Sequence, residues 1–141
     1  LIQCRAGELQ EILFNLCENA VQAMDGQGLP ADVRQNTRTD PPKIQWRRSV
    51  AGKLIMRACL AFSTKEEPLA VITLADTGPG IPEKVLRRVF QPFFTTKPEG
   101  GGNGLGLYLV KRLVERNHGR INVSSYEGLG TTFTLELPLK K

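Results

Sequence analysis

The 141-residue chain contains one histidine, one tryptophan and three cysteines, and aromatic residues make up only 6 % of it. Cys4, Cys17 and Cys59 are odd in number and lack metal-site spacing, and no signal-peptide pattern opens the sequence. A disulfide framework is therefore not expected, and a reducing, cytoplasmic setting is. No apolar run approaches the roughly 18 residues that a membrane span requires, so this segment is expected to make no membrane contact, while a longer protein is free to carry an anchor elsewhere. No internal repeat is present, and the length suits one domain over residues 1–141 with a real core.

Acidic residues are scarce in one place. Between residues 31 and 60 seven bases (Arg34, Arg38, Lys43, Arg47, Arg48, Lys53, Arg57) face two acids (Asp32, Asp40), which accounts for the whole net charge of +5. A nucleic-acid patch would gather such bases with aromatics. These are spread out and accompanied only by Trp46, so a solvated surface is the better reading and no nucleic-acid partner is expected.

What is present reads as an irregular alternation of helices and strands. In "GELQEILFNLCENAVQAMDGQG" the residues Leu9, Ile12, Leu13, Leu16, Ala20 and Ala23 recur at helical spacing, and glycines follow. Residues 26–52 are polar and proline-rich and read as a long loop or insertion, with room for a short strand near Lys43 to Arg48. "KLIMRACLAF" and "LAVITLAD" read as paired strands, "PEKVLRRVF" as a short helix opened by proline, and "GLGLYLVKRLVERNHG" as a second core helix. That helix carries Leu105, Leu109 and Leu113 on one stripe, joined by Val110 and Val114. "RINVSSYEGLGTTFTLELPL" closes as two strands about a glycine turn. The order predicts an α+β fold: a two-layer α/β sandwich whose mixed, mainly antiparallel sheet is covered on one face by helices.

Three groups of residues point to chemistry. Glu11, Asn15, Asn19 and Gln22 share a stripe of the first helix; a solvated face is the plain alternative, but asparagines are poor helix formers and a site explains them better. Asp76 ends an apolar strand before "TGPG", at the sheet's rim, where a turn or capping role competes. "DTG" also occurs in aspartic proteases, but those need two such carboxylates and only one copy exists here. "GGGNGLGL" leads into a helix N-terminus, whose free N–H groups and partial positive charge suit an anion. It is neither a Walker A loop nor a dinucleotide fingerprint, and loop flexibility alone is the competing reading.

Taken in order, these segments resemble the ATP-binding domain of sensor histidine kinases, in the superfamily with the Bergerat fold. "NLCENAVQAM" is similar to its N box (about 9–24), "DTGPGIP" to its G1 box (76–82), "FQPFFTTK" to its F box with a mobile lid (about 90–103), "GNGLGL" to its G2 box (102–107) and "GLGTTF" to its G3 box (128–133). The boxes run from about Leu9 to Pro138. "FQPFFTTK" looks closest to the branch that includes nitrogen-regulation sensor kinases.

The resemblance implies roles. Asp76 would accept a hydrogen from the adenine amino group, which guanine could not supply, and Thr131 or Thr132 would complete the base pocket. Asn19, with Asn15 close by, would hold Mg²⁺ through side-chain oxygens, and Lys97 with the N–H groups near Gly104 and Gly106 would hold the phosphates; Asn15, Asn19 and Lys97 form the catalytic set. Ala23, Gly78, Gly80, Ile81, Phe93, Thr96, Gly102, Leu105 and Leu107 would complete the nucleotide contacts, with Phe93 and Phe94 as an apolar hinge or latch. The implied cofactors are ATP, leaving as ADP, and Mg²⁺.

Related ATPases place a glutamate one turn before the metal-binding asparagine as general base, and here that position is Asn15. Glu18 is turned about 100° around the helix from Asn19, and Glu11 lies about 12 Å along its axis. Phosphoryl transfer is thus expected rather than hydrolysis, with positioning and charge neutralisation carrying the catalysis. The acceptor would be a histidine on an upstream dimerisation and phosphoacceptor hairpin, which also serves a response regulator. His118, in "ERNHGRI", reads instead as a helix-end residue. The isolated domain is expected to be monomeric. A gyrase-like ATPase, an anti-sigma-type serine kinase and a catalytically silent nucleotide-binding module remain alternatives, separated by turnover and acceptor assays. The basic segment 26–52 departs from the compact hairpin expected there and is a candidate docking surface for the acceptor hairpin.

Overall fold

The computed structural model describes residues 2, 4–25, 52–96 and 102–139. Lys97 and almost all of the basic segment, including the strand expected near Lys43 to Arg48, lie outside the described residues.

The elements run α1 (Ala6–Met24), β1 (Leu54–Phe62), β2 (Pro68–Asp76), the single-turn α2 (Glu83–Leu86), α3 (Gly106–Arg116), β3 (Arg120–Tyr126) and β4 (Gly130–Pro138). The four strands form one sheet in the order β1-β2-β4-β3, and every pairing among the described residues is antiparallel. β4 is thus inserted between β2 and β3, although it follows both in the chain.

Strand parity decides which side chains meet the helices. On β2 the inward set is Ala70, Ile72, Leu74 and Asp76, and on β4 it is Thr131, Phe133, Leu135 and Leu137, all buried. Facing them, α1 supplies Ile12, Leu16 and Ala20, and α3 supplies Val110, Leu113 and Val114. Ile12, Leu16, Val110, Val114, Leu135 and Leu137 are fully enclosed, and truncating any one of the three leucines or Ile12 to alanine is worth about 2–5 kcal/mol. The expected α+β sandwich is therefore the observed architecture. The stripe on α3 is rotated from expectation: Val110, Leu113 and Val114 form the core face, while Leu109 is exposed and turns toward the cavity described below. Val110 and Val114 are fully enclosed, whereas Leu109 sits at the margin of the core.

The two main helices are tied at one end. Buried Asn117 donates from Nδ2 to the Leu113 carbonyl and to Glu8 Oε2, each at 2.7 Å, and Arg116 Nη1 lies 3.4 Å from Glu8 Oε1. Glu8 in the first turn of α1 and Arg116 in the last turn of α3 also complement the helix dipoles. His118 follows in the left-handed region (φ 57°), exposed, with its N–H bonded to the Glu115 carbonyl, so it ends α3 as expected.

Candidate functional site

At the opposite end the helices part from the sheet and leave a cavity of about 640 Å³, a size that suits a nucleotide. β2 and β4 form its floor. The register pairs Asp76 with Thr131, and inward parity aims both side chains into the space beneath α1. The Asp76 Oδ1 accepts the Gly78 N–H at 2.8 Å and the Thr131 N–H at 3.3 Å, and these bonds fix the carboxylate's orientation. Burial pushes the Asp76 carboxyl above the ordinary aspartate range, while the same two N–H groups pull it back. Gly130, which opens β4 at φ 110°, has no room for a side chain: a Cβ there would run into the Asp76 carbonyl. The glycine therefore lets β4 close onto the end of β2.

The loop after Asp76 is clamped by the β3–β4 hairpin. Gly128 N–H donates to the Pro79 carbonyl at 2.7 Å, and Ile81 N–H donates to Ser125 Oγ at 2.8 Å. Gly80 and Ile81 thereby join the cavity wall, with Glu127 at the hairpin tip.

α1 provides the facing wall through Asn15, Glu18, Asn19, Gln22 and Ala23. Asn15 Nδ2 donates to the Glu11 carbonyl at 2.9 Å, which turns its Oδ1 toward the start of α3. A Cβ on Gly106 would sit 3.2 Å from that oxygen and 3.8 Å from Asn19 Nδ2, so the N box and the first residue of α3 meet across the cavity. The N-terminus of α3 has no side-chain cap, and its first N–H groups lack helical partners, as an anion site requires. Asn103 Oδ1 accepts the Leu105 N–H at 3.1 Å and shapes the approach. Neutral amide oxygens at Asn15 and Asn19 suit a hard cation whose charge phosphate balances. Among the described residues, no group of three or more His, Cys, Asp or Glu side chains could hold a metal ion.

The F-box segment closes the remaining side. Gly104, at φ 68°, lies against the backbone of Phe93 and Phe94, where a Cβ would come 2.5 Å from the Phe93 carbonyl carbon and 2.7 Å from the Phe94 oxygen. Phe90 packs edge-on to Phe133 with centroids 6.3 Å apart, and the Arg88 guanidinium lies 4.7 Å over the Phe94 ring.

The structure thus brings thirteen expected residues to one cavity: Asn15, Asn19, Ala23, Asp76, Gly80, Ile81, Thr96, Gly102, Gly104, Leu105, Gly106, Leu107 and Thr131. Others are placed differently. Thr132 faces away from the cavity, because alternation along β4 gives the inward position to Thr131. Phe93 is 75 % exposed with φ 63°; its backbone touches Gly104 while Phe94 is the ring that lines the cavity. Gly78 acts through its bond to Asp76 rather than as lining. Glu18, which the helical wheel turns aside, reaches the wall, whereas Glu11 does not. Val89, Leu109 and Glu127 also line the site from outside the expected boxes, and Thr95 and Phe133 line it from within the F and G3 boxes.

Comparison with known proteins fits this geometry. Residues 5–141 match the family described as histidine kinase-, DNA gyrase B-, and HSP90-like ATPase. The chain belongs to this ATPase family. The ATPase domain is 33 % identical over 138 residues to the sensor kinase CckA of Brucella abortus, covering 97 % of this chain and 13 % of that protein. It is 34 % identical over 139 residues to the sensor histidine kinase ZraS of Escherichia coli K12, covering 98 % of this chain and 23 % of that protein. Among solved structures it resembles the mycobacterial sensor histidine kinase MprB (TM-score 0.65, 25 % identity, 95 % of this chain and 72 % of that one). It also resembles full-length ShkA in complex with AMPPNP (TM-score 0.65, 28 % identity, 94 % and 21 %). The ATPase domain therefore spans 13 % and 23 % of the two curated relatives, which carry further segments. Nearly its whole length is similar to the ATP-binding part of sensor histidine kinases, in line with its boxes, and no helix among the described residues is long and apolar enough to cross a membrane.

Proposed function

We propose that the domain binds Mg-ATP in this cavity and donates the γ-phosphoryl group to a histidine on a separate dimerisation and phosphoacceptor hairpin, from which a response regulator is served. The observation that carries the reading is the two-ended cavity, with a base-sized acceptor floor at Asp76 and Thr131 and an amide pair, Asn15 and Asn19, facing the uncapped start of α3. Asp76 selects the adenine amino group. Asn19 and Asn15 hold Mg²⁺, the backbone N–H groups at the start of α3 take the phosphates, and Lys97 adds a positive charge to them. The acceptor imidazole nitrogen then forms a bond to the γ-phosphorus as the bond to the β-phosphate oxygen breaks, ADP leaves, and an acidic partner on the hairpin takes the imidazole proton. The domain itself supplies position and charge balance.

Asn15 occupies the position where an ATPase would carry a carboxylate base, which favours transfer over hydrolysis. Glu18 at the cavity wall is the residue that tests this. The wording of "FQPFFTTK" supports placement in the nitrogen-regulation branch of sensor kinases.

The test is titration with ADP and a non-hydrolysable ATP analogue, with and without Mg²⁺, followed by ATP with a supplied acceptor hairpin. Metal-strengthened binding, negligible steady turnover and label on the hairpin histidine are expected. Steady hydrolysis without acceptor that Glu18→Gln abolishes would replace this reading with that of an ATPase.

A further inference from the structure

Thr131 on the cavity floor is paired with a hydroxyl behind it, and the hydrogens of the pair can be assigned from the distances and partners. Ser125, on β3, lies outside the residues that line the cavity. Its Oγ is 2.8 Å from the Ile81 N, 2.9 Å from the Gly130 carbonyl oxygen and 2.9 Å from Thr131 Oγ1. A serine hydroxyl has one hydrogen and two lone pairs. The Gly130 carbonyl has no hydrogen to give, so the contact between these two oxygens requires the Ser125 hydrogen. The Ile81 N–H fills one lone pair. The remaining contact, to Thr131, then requires Thr131 to donate its own hydrogen into the second.

Thr131 is thereby left with no hydrogen to point into the cavity, only lone pairs. Its neighbour Asp76 has the same polarity, with Oδ1 occupied by two backbone N–H groups and Oδ2 carrying no protein hydrogen bond among the described residues. We propose that Ser125 is a positioning residue for base selection: by accepting the Thr131 hydroxyl hydrogen it keeps the floor made by Asp76 and Thr131 acceptor-only, so that the site favours a purine carrying a 6-amino group. Ser125 does this without touching the base, since its own hydroxyl is saturated by three protein partners. The same three bonds join the loop after β2 to the first residues of β4, so the polarity of the floor is set by the contact that shapes it. The inference rests on the nucleotide reading above.

The test compares ADP with purine riboside diphosphate, which lacks only the 6-amino group and keeps the same acceptor nitrogen in the ring. Wild-type domain is expected to bind ADP more tightly than the unsubstituted purine. Ser125→Ala releases the Thr131 hydroxyl to turn and donate, and the preference should fall about fivefold, the worth of one neutral hydrogen bond. Ser125→Thr, which keeps a hydroxyl on a strand, should restore it. On a Thr131→Val background, Ser125→Ala should move the preference by less than twofold, because its effect passes through Thr131. Thr131→Val alone gives the same information if Ser125→Ala does not fold, and should lower ADP affinity about fivefold more than that of the unsubstituted purine. Equal weakening of both nucleotides by Ser125→Ala, or an unchanged preference in Thr131→Val, overturns the inference. A folded wild-type domain that holds neither nucleotide overturns the nucleotide reading and this inference with it.

Discussion

Replacing Asp76 with asparagine should move binding and stability in opposite directions. The carboxylate is held at Oδ1 by the N–H groups of Gly78 and Thr131, and asparagine can keep both bonds only by placing its oxygen there. Its Nδ2 then takes the position of Oδ2 and presents hydrogens where an acceptor stood. An adenine amino group loses a charge-assisted bond worth about 1.5–3 kcal/mol, and two donors are left facing each other at a further cost of about 1 kcal/mol. The sum, about 2.5–4 kcal/mol, corresponds to a loss of ADP affinity of roughly 70- to 900-fold. The empty domain should respond the other way. Because burial raises the Asp76 carboxyl, the native state keeps a proton that the unfolded chain has already released, so this group's contribution is full below about pH 4 and is lost as pH rises through the raised value. Asp76→Asn has no such loss. Its melting temperature relative to wild type should therefore climb from pH 3.5 to pH 7, measured by scanning calorimetry without nucleotide and paired with calorimetric ADP titration. A variant that binds ADP within threefold of wild type, or whose relative stability falls with rising pH, would refute the reasoning.

Other substitutions separate packing from binding. Gly130→Ala introduces a side chain at φ 110° against the Asp76 carbonyl and should cost at least about 1–3 kcal/mol in urea unfolding, with weaker ADP binding as β4 is pushed off β2. Gly106→Ala should stabilise α3 by up to about 1 kcal/mol, since alanine is the better helix former, while weakening Mg²⁺-dependent ADP binding because its methyl stands 3.2 Å from Asn15 Oδ1. Asn117→Ala removes the bond from α3 to Glu8 on α1 together with the bond that closes the end of α3 on the Leu113 carbonyl, and should cost about 1–3 kcal/mol of stability, leaving ADP affinity within twofold.

The sequence carried the site unevenly, and the reasons are physical. Asp76 was legible because a lone carboxylate that closes an apolar strand directly before a glycine-proline turn stands at the rim of the sheet. Asn15 and Asn19 were legible because amides are poor choices for a merely solvated helix face. The choice between Thr131 and Thr132 was not, since it depends on the register that pairs Asp76 with Thr131, and a glycine turn does not announce its own register. That Glu18 reaches the cavity wall was not legible, because an angular argument on a helix ignores the reach of a long side chain. The stripe on α3 was drawn through Leu105 and Leu109 as well, whereas the buried face is Val110, Leu113 and Val114 and the other two leucines line the cavity. Ser125 gave no signal at all: its bond to Ile81 joins residues 44 apart, and no local pattern relates β3 to the loop after β2.

The position of β4 has a consequence for how the protein is made. This strand is the last described element to leave the ribosome, yet it occupies the middle of the sheet and contributes Thr131, Phe133 and half of the grip on Asp76. A nascent chain that has reached Tyr126 has both main helices and three strands but no base pocket. Ligand binding stabilises only the state that can bind. Nucleotide can therefore do nothing for the early intermediates and acts as a late inspector, rewarding only those chains in which the final strand has threaded between its neighbours.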